Sequence, residues 1–232
     1  MMKRIFLMMG LALLLASCSK VGQKFDQRNS GSAGASTAGA GGDAASSGAS
    51  TTSAGSASSA DASGGQAVER PQPTAAQLAA IEGGQEAKWD QQGMTWTVPK
   101  DWKQMSAETK SLLWGSRSGG DMASLIVNIS PMDENFPTDV SLKAFYDGAV
   151  TRRKNGEVDE VRWLELDGVK GVAFRETKPE GAEDARRLQW ITYRKFAGQT
   201  QMVNLMLATT GRSFEKNQDT FYAILYSTKL VH

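Results

Sequence analysis

Of the 232 residues, one is cysteine and one is histidine. A lone cysteine, Cys18, excludes an intrachain disulfide, so stability has to come from packing. The lone histidine, His232, is the last residue, where chain ends fray. Ser-His-Asp and Cys-His catalysis are thereby set aside, as are zinc sites built on cysteine and histidine. No apolar run reaches the ~20 residues a bilayer-spanning helix needs. An excess of one charge is missing too: 26 Lys+Arg face 25 Asp+Glu, and from Gln85 onward the count is 20 against 20. A neutral domain with interspersed signs lacks the basic stripe of nucleic-acid binders and has no electrostatic pull toward anionic lipid. No Walker loop, G-x-G-x-x-G, H-E-x-x-H or EF-hand spacing is present, and no cofactor or metal is expected.

What is present begins with an address. Lys3 and Arg4 precede an apolar stretch, Ile5 to Ala16, of signal-peptide length. It closes on Leu15-Ala16-Ser17-Cys18. These four residues resemble the lipobox of bacterial lipoproteins, with an aliphatic residue three before the cysteine and two small residues between. The resemblance implies cleavage between Ser17 and Cys18, a diacylglyceryl thioether on Cys18, and acylation of the new amino terminus. One acyl chain binds a membrane only marginally, whereas three on one residue anchor it durably. The expected location is the cell envelope. Ser19, rather than Asp, follows Cys18, which matches outer-membrane sorting with the domain facing the periplasm if the source is Gram-negative.

From Ser30 to Gly65 the chain is Gly, Ala, Ser and Thr, broken only by Asp43 and Asp61. Nothing there can offset the ~1–2 kcal/mol per residue lost on ordering, so a coil is expected. Between Ser19 and about Ala75 its root-mean-square reach is roughly 40 Å. The expected organisation is a signal peptide over 1–17, a lipidated cysteine and flexible tether over 18–84, and one globular domain over 85–232. A short helical turn is expected at Gln77 to Glu82.

Within the domain, period-two alternation predicts strands over Met122 to Ser130, Arg187 to Phe196 and Met202 to Thr209. Val161 to Leu166 and Val169 to Thr177 flank Asp167-Gly168, a type I′ hairpin signal. Ala197-Gly198 turns the chain between the next two strands. Gly93 to Val98 and Lys110 to Ser116 are earlier strand candidates. Leu142, Phe145, Tyr146, Ala149 and Val150 repeat at helical spacing, with Thr138, Asp139 or Ser141 as cap and Asn155-Gly156 as stop. Ser213 to Lys229 reads as a closing helix. Local hairpins imply a mainly antiparallel sheet with helices packed on its faces.

This order of elements, with particular residues, resembles the PsbP-like superfamily, which also holds DcrB-type bacterial lipoproteins and a Ran-binding nuclear-import factor. The matching residues are Trp96-Thr97-Val98-Pro99-Lys100-Asp101-Trp102, the helix from Leu142 to Lys154, and Leu166-Asp167-Gly168 with Gly171. Arg187 and Tyr193 on a strand, and Phe214 and Phe221 on the last helix, complete the match. The resemblance implies an α/β (α+β) fold, an α/β/α sandwich around a mainly antiparallel sheet. It implies no chemistry, because its members are mostly binding or assembly modules.

Carboxylates are the remaining route to catalysis. Glu157, Asp159 and Glu160 cluster after the first long helix, and Glu180, Glu183 and Asp184 cluster between two strands. Either offers a weak calcium site or an acid/base pair, but neither has a dedicated ligand spacing, and solvated loop charges are the favoured reading. Of the six tryptophans, Trp102, Trp114, Trp163 and Trp190 are the candidates to line a groove, since Trp is favoured at binding hot spots. Met202 and Met206 share a strand face and extend a candidate apolar surface. The expectation is a non-catalytic, membrane-anchored binding or accessory module with an envelope-protein or cell-wall partner. A binder of a small apolar ligand or lipid in a Trp/Met pocket is the alternative, and a carboxylate-based hydrolase is third.

Overall fold

The computed structural model describes residues 67–118 and 121–231. All belong to the second of two compact units, Ala57–His232. Ser17, Cys18, the leader and the Gly/Ala/Ser/Thr stretch lie outside the described residues. No helix among the described residues is long and apolar enough to cross a membrane.

Among the described residues fourteen elements follow in order, one of them a 3-10 turn, Asp90–Gln92. The helices are α1 (Ala75–Ala80), α2 (Thr138–Lys154) and α3 (Phe214–Tyr226). The strands are β1 (Gln85–Trp89), β2 (Met94–Val98), β3 (Lys103–Ala107), β4 (Ser111–Ser118) and β5 (Asp121–Pro131). After α2 come β6 (Val158–Leu166), β7 (Val169–Glu176), β8 (Ala185–Phe196) and β9 (Gln199–Thr210), and β10 (Lys229–Leu230) closes the chain. Seven strands form one sheet in the order β3-β4-β5-β9-β8-β7-β6, with every neighbouring pair antiparallel. A second sheet, β1-β2-β10, is antiparallel as well. The fold is α+β.

Both hairpin turns form as their residues dictate. Asp167 and Gly168 take φ of 48° and 81°, and Ala197 and Gly198 take 49° and 80°, the paired left-handed values of a type I′ turn. They fix the register of β6 on β7 and of β8 on β9. Alternation then sorts side chains between the two faces of the large sheet. One face carries the cross-strand row Leu112, Val127, Leu205, Trp190 and Ala173, all buried. α3 covers it with Phe214, Phe221, Ile224 and Leu225, and the small sheet adds Met94, Trp96 and Val98. Each such side chain contributes about 1.5–3 kcal/mol on burial. The other face carries Val172, Phe174 and Ile191, covered by Leu142 and Ala149 of α2. The two long helices therefore lie on opposite faces, as a sandwich requires.

Three details depart from expectation. The three-stranded sheet shares the α3 face; its strand β1 is only five residues long and β10 only two, too short for their alternation to stand out in the sequence. None of Thr138, Asp139 and Ser141 caps α2; Pro137 occupies the cap position and Thr138 is the first helical residue. The folded unit also reaches N-terminal of Gln85. Thr74 and Gln77 form a capping box that starts α1, and Glu69 bridges Leu164 in parallel. The amide of Glu69 donates to the Trp163 carbonyl (3.0 Å), and its carbonyl accepts from the Glu165 amide (2.9 Å). Arg70 clamps Glu165 with two bonds of 2.7 and 2.9 Å. This strap occupies part of the β6 edge, which would otherwise present unpaired backbone groups.

Candidate functional site

A cleft of about 700 Å³ opens between the N-terminal half of α2 and the β6–β7 hairpin. Leu142 and Tyr146 enter from the helix, Trp163 and Lys170 from the hairpin, and Tyr193 from β8. Strand parity decides the hairpin's contribution. Odd residues of β6, Val161 and Trp163, face α2, whereas Leu164 and Leu166 go to the main core. Tyr146 and Trp163 stack in parallel, with ring centroids 4.8 Å apart and planes 2° apart. Lys170 places its Nζ 4.2 Å from the centroid of the same indole. A ring already stacks on one face, so the ammonium lies over the other. Lys170 stands opposite Glu165 and therefore diagonal to Trp163, within reach of a long side chain.

Polar groups ring this aromatic centre. The Ser141 and Tyr193 hydroxyls are 2.7 Å apart, and Tyr193 Oη donates to Met202 Sδ at 3.6 Å. Lys143 pairs with Asp147 at 2.6 Å on the exposed rim. Asp139 and Thr138 stand at the helix start. With Lys143 and Lys170 set against Asp139 and Asp147, the charged residues lining the cleft balance.

Of the four groove candidates, Trp163 lines the cleft. Trp102, Trp114 and Trp190 are buried in the α3-side core instead. Trp190 is fully enclosed and donates from Nε1 to the Leu164 carbonyl (3.2 Å). Met202 packs against the α2-side cluster. Tyr146, Lys170 and Tyr193 carry the remaining chemistry of the cleft. Their sequence signal was helical or strand periodicity alone.

The acidic cluster after α2 is neutralised, and Glu183 of the second cluster is paired. Asp159 accepts from Arg175 (2.6 Å) and Arg186 (2.7 Å), while Glu160 pairs with Arg162 (2.9 Å) and Arg175 (3.3 Å). Arg186 also reaches Glu215 and the Glu176 carbonyl, and Arg162 reaches Glu69 and Tyr226. Glu157 pairs with Arg152, and Glu183 with Arg212. Burial works to lower the Arg162 pKa, but Tyr226, Glu160 and Glu69 outweigh it and hold the guanidinium above its ordinary value. Burial, then the hydrogen bond to Glu160, pushes the Tyr222 hydroxyl up. The network ties the β6–β8 end of the sheet to α3 and to the strap. No group of three or more His, Cys, Asp or Glu among the described residues is placed to hold a metal ion.

A further buried cation stands apart. Arg194 donates to the Gln92 carbonyl and to Gln201, with no carboxylate among its partners. Its Nε and Nη1 have no hydrogen-bond partner. Burial pulls its pKa down to about 10.

The sequence matches no family model and no curated protein. Among solved structures it has neighbours at low sequence identity. LpqN of Mycobacterium tuberculosis, described as involved in cell envelope biogenesis, has a TM-score of 0.47 at 11% identity, over 64% of this chain and 86% of that one. Cyanobacterial PsbP (CyanoP) from Synechocystis has a TM-score of 0.43 at 15% identity, over 63% and 92%. A Bacteroides thetaiotaomicron protein has a TM-score of 0.40 at 9% identity, and this chain spans 46% of its length.

Proposed function

We propose that this protein is a lipid-anchored envelope protein whose folded domain is a non-catalytic binding module, serving as an assembly or accessory factor for an envelope partner. The cleft between α2 and the β6–β7 hairpin is its docking site. The observation that carries this reading is the composition of the cleft: an aromatic centre of Tyr146, Trp163 and Tyr193 inside a rim of balanced charge. Side chains of this kind anchor partners, and they offer no nucleophile paired with a base. The carboxylate-hydrolase alternative is weakened because Asp159 and Glu160 are held by three arginines. A lipid-binding role fits less well, since four charged side chains line the cleft.

The anchor on Cys18 and the tether supply the setting, and both rest on the sequence. A flexible leash of roughly 40 Å reach holds a module at high local concentration near membrane partners without fixing its orientation. The test is to cross-link intact cells carrying a tagged chain beside a Cys18→Ser copy, then fractionate and identify the adducts. One recurrent envelope component, joined only to the anchored form in the membrane fraction, is expected. Equal behaviour of the two copies would overturn the anchored-module reading.

A further inference from the structure

Resting on the binding-module reading, we infer that the cleft takes a neutral, polyhydroxylated chain: a glycan strand, with one sugar ring lying on Trp163 where the Lys170 ammonium now sits. Three features of the cleft lead there. Its charges cancel, Lys143 and Lys170 against Asp139 and Asp147, so it has no preference for a phosphate-bearing or acidic ligand. Its lining holds both donors, Lys143 and Lys170, and acceptors, Asp139 and Asp147, and Thr138 and Tyr193 add groups that both give and accept. That pattern matches hydroxyls, each of which also donates and accepts. The floor is planar and aromatic, suited to the flat C–H face of a sugar ring, and the cleft is open enough for a chain to run through.

The Trp163 stack shows where the ring would lie. Tyr146 covers one face of the indole at 4.8 Å and fixes its plane. The other face carries the end of Lys170, a long and exposed side chain. A cation over a ring at an exposed site is held weakly. A ligand ring displaces it at little cost, and the freed ammonium then stands beside the bound ring to donate to a hydroxyl. Lys170 in this view is a displaceable cover for a preformed stacking platform, so the indole needs no rearrangement to bind.

The test uses the full chain carrying Cys18→Ser, with the tryptophan indole N–H signals followed by NMR. The probes are an N-acetylglucosamine tetramer, a glucose tetramer and an acidic galacturonic-acid tetramer. A neutral tetramer should move the Trp163 indole saturably while the enclosed Trp190 indole stays still. Which of the two neutral probes acts separates an amino-sugar strand from a plain glucan. Trp163→Leu should weaken binding by about tenfold or more. Trp163→Phe, which keeps a flat face, should hold it within about threefold, separating stacking from a loss of fold. Lys170→Ala should leave binding intact or tighten it. Silence with both neutral tetramers at millimolar concentration, or a response to the acidic one alone, would overturn the glycan inference. If adducts still form in cells from cleft positions, the binding-module reading survives that failure; if those are absent too, both fall.

Discussion

Gly171→Ala puts the sheet architecture to its hardest test. Gly171 lies in the centre of β7, and a Cβ built on it would stand 2.3 Å from Trp190 Nε1, 2.6 Å from Trp190 Cε2 and 2.7 Å from the Ile191 carbonyl. No real contact is that short, so the indole must move. Trp190 has no room to do so: it is fully buried, with Ala173 directly opposite it in β7 and its Nε1 donating to Leu164. Overpacking of a filled core costs about 1–3 kcal/mol. Losing the Trp190 bond leaves a buried donor unsatisfied, at about 1–3 kcal/mol more. The substitution should therefore cost about 2–6 kcal/mol, a fall of about 10 °C in Tm for a domain of this size. Urea and thermal unfolding of the full chain carrying Cys18→Ser would measure it. Gly168→Ala, three residues away, is the control. It has φ of +81° but nothing within 4 Å, so only left-handed strain applies, about 1 kcal/mol. In the double variant Gly171→Ala/Trp190→Phe the smaller ring should recover part of the loss, a favourable coupling. A Gly171→Ala protein within about 1 kcal/mol of the parent, or no coupling to Trp190, would refute the packing described.

Other outcomes follow from the charge network and the strap. Asp159→Asn leaves Arg175 and Arg186 short of their shared carboxylate and should cost about 1–3 kcal/mol in urea unfolding, discounted because Asp159 is partly exposed. No change would mean that the acidic cluster is free for another role. The Arg70 hydrogen bond lowers the Glu165 pKa. Docking of the strap should thus be intact above the ordinary carboxylate range and lost as pH falls through the depressed value. The Glu69 amide shift reports this, and Glu165→Gln should remove the acid-dependent step. Burial depresses Arg194 to about 10, below the ordinary guanidinium value, so the unfolded chain holds the proton more firmly between the two. The penalty of burying it is complete below that window and relieved as pH rises through it. Stability of the parent relative to Arg194→Met should therefore be flat below about pH 10 and rise above it; a flat difference throughout would contradict the buried charge.

Much of the fold was legible because its signals are local. The two hairpin turns need left-handed residues, which Asp167, Gly168 and Gly198 favour, while Ala197 adopts that region at some cost. β5, β8 and β9 alternate cleanly, and α2 stops at Asn155-Gly156 as its sequence suggests. β3 was not legible: its residues are mostly exposed, and β4 rather than its own pattern holds it, across a register shift between Gln104 and Ser106. The strap at Glu69 and Arg70 was hidden for the same reason, since its partners, Arg162 to Glu165, lie more than ninety residues away. For the tryptophans the ambiguity is physical. A large amphipathic ring serves a core and a groove equally well, and parity decides between them. Trp163 and Leu164 are both apolar neighbours on β6, and only the placement of α2 and α3 on opposite faces sends one to the cleft and the other to the core.

Site-specific photo-cross-linking in intact cells tests the central claim most directly. The photoreactive residue replaces Lys143, on the exposed cleft rim, or Lys216, exposed on α3 away from it. The account predicts an adduct to one envelope component from Lys143, dependent on Cys18 and lost with Trp163→Leu, and none from Lys216. The same adduct from both positions, or one from Lys216 alone, would contradict it.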